Sequence, residues 1–135
     1  MKKISLFLLT AAVCLTLAGC NKDSEVNAFM SELDSTTEEM VAKIDANPSS
    51  AGIDEAQKVY DSHKPELQKK WDAIKGARGF QVSEDMKNKL TENVKKNVTS
   101  LSSTMMKNAM KLGSDPAARD KFQKLLKDYQ DTFRP

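Results

Sequence analysis

Few side chains in this sequence are of types that do chemistry, and each has a plainer reading beside the chemical one. His63 is the single histidine. General-base or metal work would need partners for its imidazole, and cysteine ligands near it are absent. Its place on a helical stripe close to Pro65 points to a half-buried structural ring. Met105, Met106 and Met110 cluster late in the chain. Thioethers bind Cu(I) or grip varied apolar partners. Met105, however, falls on an apolar stripe and reads as core, while Met106 and Met110 share another face. The stretch Lys75-Gly76-Ala77-Arg78-Gly79-Phe80-Gln81-Val82 has two glycines that permit a sharp turn, with Arg78 and Phe80 able to meet a partner. The plainer alternative is a helix connector whose Phe80 or Val82 tucks under the fold. No Gly-Lys-Ser/Thr follows it, so it is not a phosphate loop. Acidic residues are abundant, but helix faces pair carboxylates by accident. Without Gly-x-Ser-x-Gly, His-Glu-x-x-His or a dinucleotide fingerprint, the sequence gives no catalytic residues, cofactor or metal site, and a non-enzyme is expected.

The elements that must position these residues begin after an unusual start. Met1-Lys2-Lys3 is followed by an apolar run from Ile4 to Leu17, then Ala18-Gly19-Cys20, then the polar Asn21-Lys22-Asp23-Ser24-Glu25. The run is short for a bilayer core of roughly 30 Å and has the flanks of a signal-peptide hydrophobic region. Leu17-Ala18-Gly19-Cys20 resembles the lipobox of bacterial lipoprotein precursors. That resemblance covers residues 1–20 alone. It implies a diacylglyceryl group on Cys20, cleavage before it and acylation of the new amine. Residues 1–19 would then be a cleaved signal, 20–23 an anchor and short tether, and 24–135 the working domain. Two or more acyl chains anchor stably where one does not. Asn21, where an aspartate would favour retention in the inner membrane, points to an outer-membrane lipoprotein facing the periplasm.

Composition narrows the rest. The formal net charge of +2 comes from 21 basic and 19 acidic side chains. Loss of Lys2 and Lys3 with the signal would bring that balance to zero. A neutral domain has no bulk electrostatic attraction for nucleic acid or anionic lipid. Cys14 would leave with the signal and Cys20 would be lipidated, so no disulfide or free thiol would support the domain. What remains has the length of one domain with a core of its own.

Beyond the signal, apolar residues recur at three and four. The first segment, from about Ser24 to Ala46, carries Val26, Phe29, Met30, Leu33, Met40, Val41 and Ile44, and Asn47-Pro48 ends it. Ser35-Thr36-Thr37-Glu38 reads as a capping box and allows a break near Ser35. The second carries Ile53, Ala56, Tyr60, His63, Leu67, Trp71 and Ile74, with Asp54 and Gln57 as its cap. Pro65 inside it predicts a kink or short break. The third is capped by Ser83 and runs as one helix from Met86 through Leu90, Val94, Val98, Leu101, Met105 and Ala109 to Leu112, with Gly113 as terminator. Asp115-Pro116 starts a fourth with Ala118, Phe122, Leu125, Leu126, Tyr129 and Phe133. The expectation is an all-α, small up-and-down helical bundle of three long helices and a shorter C-terminal one. The acidic first segment should lie beside the basic third. Phe29, Trp71, Phe122, Tyr129 and Phe133 are large enough to fill so small a core, against an interior ligand cavity.

Together these readings anticipate a membrane-tethered, non-catalytic binding or structural module of the cell envelope. Its partners would be the membrane, through lipid on Cys20, and an envelope protein touched by Arg78, Phe80, Met106 and Met110. The rivals are a bundle carrying a small apolar ligand or metal and a chaperone-like or stress protein. Intact-mass measurement on membrane-extracted protein should give a chain starting at a triacylated Cys20. Cys20→Ser should release the protein from the membrane fraction; firm membrane attachment of that variant would refute the anchor.

Overall fold

A computed structural model of the chain describes residues 22–77 and 81–133. Five helices make up most of these residues: α1 (Asp23–Ala46), α2 (Ser50–Lys75), α3 (Glu84–Lys107), α4 (Ala109–Gly113) and α5 (Pro116–Thr132). No strand occurs among the described residues.

The first segment is one unbroken helix. Val26, Phe29, Leu33, Thr36, Thr37, Met40 and Ile44 are its buried positions. The capping box near Ser35 is not used. Thr37 donates its hydroxyl to the Leu33 carbonyl at 2.8 Å, so the polar side chain is satisfied within the helix instead of ending it. That hydroxyl also meets the phenol of Tyr129 at 2.7 Å.

The second helix begins at Ser50, so Asp54 lies inside it and pairs with Lys121 of α5 at 2.5 Å rather than capping its start. Pro65 does not break it. The ring is solvent-exposed. Tyr60, Leu67, Trp71 and Ile74 keep one buried stripe on both sides of it. Burial of that stripe offsets one lost backbone bond. Gly52 has a specific reason to be glycine: a Cβ there would sit 1.8 Å from the Asn47 carbonyl oxygen, where the α1–α2 turn folds back on the helix.

The third segment departs most from expectation. Ser83 caps α3 as anticipated, accepting from the Met86 N–H at 3.3 Å. The helix is then interrupted at Asn108, and α4 follows as a separate short piece ending at Gly113. The amide of Asn108 donates to the Thr104 carbonyl at 3.0 Å and to Asp45 of α1 at 2.8 Å. The same carbonyl also accepts the Asn108 backbone N–H at 3.1 Å, so it receives two donors at the point where the helix is interrupted. The inward face is also rotated from the apolar stripe. Met86, Asn97, Leu101 and Thr104 are buried in α3, whereas Leu90, Val94, Val98 and Met105 are half-buried beside the core. Asp115 and Pro116 open α5 as expected, with the Ala118 N–H donating to the Asp115 carboxylate at 3.2 Å.

Side-chain pairs fix the helix directions. Glu32 of α1 meets Lys70 of α2, and Lys22 reaches the Ala73 carbonyl, so α1 and α2 are antiparallel. Asp23 meets Ser83, Asp34 meets Asn93 and Asn97, and Asp45 meets Lys107, so α1 and α3 are parallel. Asp54–Lys121 and Lys64–Asp128 make α2 and α5 parallel. α1 packs on α2 and α3, and α5 packs on the same two. The consecutive helices α2 and α3 therefore lie across the bundle from each other, joined by a connection that crosses one end.

An aromatic cluster fills the middle. Phe29 stacks against Trp71 at 5.4 Å and Phe133 at 5.6 Å, and Tyr129 packs on Phe133 at 5.2 Å and Tyr60 at 5.5 Å. Phe122 is fully buried as well. Such tilted and edge-on pairs each contribute about 0.5–1.5 kcal/mol beyond area burial.

The two helical glycines give opposite expectations. Gly113 has open space where a Cβ would go. Urea unfolding should show Gly113→Ala neutral or stabilising by up to about 1 kcal/mol, from helix propensity. Gly52→Ala should lose about 1–3 kcal/mol, because its methyl meets backbone. Equal effects at the two sites would contradict the close packing of the α1–α2 turn.

Candidate functional surfaces

Two poles organise the surface residues. At one, the start of α1 is stitched to the connection between α2 and α3. The Lys22 N–H donates to the Gln81 carbonyl at 2.7 Å, and the Lys22 ammonium donates to the Ala73 carbonyl at 3.0 Å. The Asp23 carboxylate accepts from the Ser83 N–H at 3.0 Å and its hydroxyl at 2.9 Å. Val82 is buried beneath the bundle, which is the tucked-connector reading of this segment. Arg78 and Phe80 lie outside the described residues, as does Cys20. Their flanking residues are nonetheless informative. The connection leaves at Ala77 and returns at Gln81, both at this pole.

The other pole holds the end of α1, the start of α2, the end of α3, and α4. Asp45 there accepts from Lys107 at 2.7 Å and from Asn108 at 2.8 Å. The Lys107 ammonium first and the Asn108 amide second hold the Asp45 carboxyl below its usual value. Met106 and Met110 stand at this pole, 78% and 93% exposed, and they are the exposed large hydrophobic side chains among the described residues. Met105 is half-buried against the core. The two poles are separated by the length of α1, a 24-residue helix, or about 36 Å.

His63 faces α1 from α2. Its Nδ1 lies 3.6 Å from Glu32, whose carboxylate also binds Lys70. The Lys70 ammonium is the main reason the Glu32 carboxyl is held below its usual value, and Glu32 in turn raises Lys70. A general acid needs the reverse shift. No group of three or more metal-ligating His, Cys, Asp or Glu side chains occurs among the described residues.

The phenols of Tyr60 and Tyr129 are pushed well above their ordinary range, chiefly by burial. Each has a partner: Tyr60 donates to Thr132 at 2.6 Å, and Tyr129 shares its bond with Thr37. They are structural groups of a dry core.

The larger depressions are grooves bordered mainly by charged and polar residues. One of about 380 Å³ runs between α2 and α5 and is lined by Ile53, Asp54, Gln57, Asp61, Lys121, Lys124 and Asp128. Another of about 610 Å³ lies along α3 against Glu92, Asn93, Lys95, Lys96 and Thr99. Neither is an enclosed apolar chamber. No helix among the described residues is long and apolar enough to cross a membrane.

Sequence reasoning missed the polar seam between α1 and α3. Asn97 is 3% exposed and Thr104 4% exposed. Asn97 donates to Asp34 at 2.7 Å, and Asn93 donates to the same oxygen at 3.0 Å. The available signal was the regular recurrence of Asp23, Asp34 and Asp45, about three helical turns apart. The acidic first helix does lie beside the basic third, with Asp34–Lys96 at 3.6 Å and Asp45–Lys107 as cross-helix ion pairs.

No protein-family model matches the chain, and no curated protein or solved structure is similar to it.

The lowered carboxyls of Glu32 and Asp45 fix a sign for pH dependence. Their unfolded forms, with ordinary values of 4.5 and 3.8, bind protons at higher pH than the folded ones. Their stabilisation is complete above those values and is lost as pH falls through the lowered folded values. Urea midpoints measured from pH 7 to 3 should fall on acidification, and Glu32→Gln with Asp45→Asn should flatten that fall. An unchanged slope would show that these carboxylates do not carry it.

Proposed function

We propose that this chain is a membrane-tethered, non-catalytic binding module of the bacterial cell envelope, built as an up-and-down bundle of three long helices and a shorter C-terminal one. Lipid on Cys20 holds one pole at the membrane, on the outer membrane's periplasmic side, and the opposite pole meets a protein partner. The observation that carries this reading is the exposure of Met106 and Met110 at the pole farthest from Lys22. Elsewhere the large apolar side chains of the described residues are buried or half-buried, so the pair is not a general feature of the surface. Methionine is flexible and polarizable, and suits contact with an apolar patch on another protein.

Lipid on residue 20 would hold the start of α1, and with it Ala77 and Gln81 at the described ends of the α2–α3 connection, near the membrane. Contacts there would be with lipid or with a protein embedded in it. Met106 and Met110 would stand about 36 Å above it, within reach of an envelope protein in the periplasm. Confinement to a surface raises local concentration, so modest affinity is enough for such a contact.

The larger depressions, bordered by charged and polar side chains, favour no apolar-ligand carrier. Photocrosslinkers placed at positions 78, 80, 106, 110 and, as an exposed control, Lys58 decide the matter in living cells. A specific protein band from 106 and 110, absent at 58, is expected. Lipid adducts or bands of membrane-embedded proteins are expected from 78 and 80. Equal labelling from every position, or none, would reject the module reading.

A further inference from the structure

We propose that Met106 and Met110 are an oxidant-modification site, at which peroxide-class oxidants convert both thioethers to sulfoxides and turn the patch polar without disturbing the fold. The gating consequence rests on the docking reading above; the site itself does not.

The selectivity follows from burial. Met40 is fully buried and Met86 is 8% exposed, while Met30 and Met105 are half-buried against the core. Met106 and Met110, at 78% and 93% exposed, have thioethers open to solvent. Methionine oxidation alters apolar packing only where packing exists. At positions 106 and 110 a sulfoxide costs the core nothing. The anchoring contacts of this pole pass through other groups: Lys107 and Asn108 to Asp45, and Leu112 into the core. The same face could be apolar with leucine. Of the two side chains, methionine alone changes polarity on oxidation, and its sulfoxide can be reduced back.

The chemistry balances without a cofactor. A sulfur lone pair attacks one oxygen of hydrogen peroxide, the O–O bond breaks, and an S–O bond forms. Sulfur loses two electrons, the peroxide is reduced, and proton transfer releases one water. A second peroxide does the same at the other methionine. The patch then carries two polar S–O groups where it had two apolar side chains.

Hydrogen peroxide applied to the full lipidated protein in vesicles supplies the first readout. Peptide mass spectrometry should show a gain of one oxygen at each of Met106 and Met110 at least tenfold faster than at Met40 or Met86. The circular dichroism spectrum and melting temperature should stay unchanged. Equal rates at all four, or loss of fold as the exposed pair oxidises, would overturn the site. The second readout is a crosslinker at exposed position 111 in cells. Peroxide should cut its partner band at least fivefold in the otherwise native protein, and the band should return once methionine sulfoxide reductases have reduced both sulfoxides. A band that ignores peroxide would overturn the gating and leave docking intact. No band in untreated cells would overturn docking, and gating with it, while the mass readout still decides the modification site.

Discussion

The bundle depends on the contact between α1 and α3, two helices that are parallel neighbours although a whole helix separates them in sequence. Three aspartates on one edge of α1 each meet a fixed place on α3. Asp23 takes the backbone and hydroxyl of Ser83 at its start, Asp34 takes Asn93 and Asn97 in the middle, and Asp45 takes Lys107 and Asn108 at its end. The spacing of about three turns keeps the three aspartates on one edge, so all three contacts are made together at one alignment. A buried amide without its acceptor costs about 1–3 kcal/mol. With Asn97 turned inward onto Asp34, sliding α3 past α1 would break a buried bond that an all-apolar seam would not have. Polar satisfaction here sets register, and apolar burial supplies the stabilisation.

Much else follows from that alignment. With α3 held beside α1, α2 occupies one flank of α1 and α5 closes the opposite corner on α2 and α3. The connection between α2 and α3 must then cross an end of the bundle, which it does over the buried Val82 and against Lys22. The same alignment carries Asn108 to Asp45, at the point where the third helix is interrupted. Met106 before the interruption and Met110 after it are both exposed, while Leu112 is buried. The distance of the two methionines from residue 22 is set by the length of α1.

The interior leaves little room for a cargo. Phe29, Trp71, Tyr129 and Phe133 contact one another across α1, α2 and the end of α5, and the buried phenols are bonded to threonines. The Trp71 indole N–H and the Thr36 hydroxyl are the buried side-chain polar atoms left without a partner among the described residues. The other buried side-chain polar atoms of the described residues have partners.

Local chemistry was enough for much of this structure. Asn47-Pro48, Gly76, the Ser83 cap and the Asp115-Pro116 start depend on a few adjacent residues, so their positions were legible, and three-and-four spacing revealed the helical class. Where the reading failed, the deciding partner was distant in sequence. The capping box at Ser35 lost because Thr37 could bond within the helix and with Tyr129. Asp54 was taken from capping by Lys121. Asn97 and Asn108 look like surface residues until Asp34 and Asp45 stand opposite, and Gly52 looks replaceable until the Asn47 carbonyl folds against it. Charge set the acidic first helix beside the basic third, but the other neighbours, and which surface lies near residue 22 and which far from it, were decided only in three dimensions. A hydrogen bond or a backbone contact has its energy only when both partners are in place.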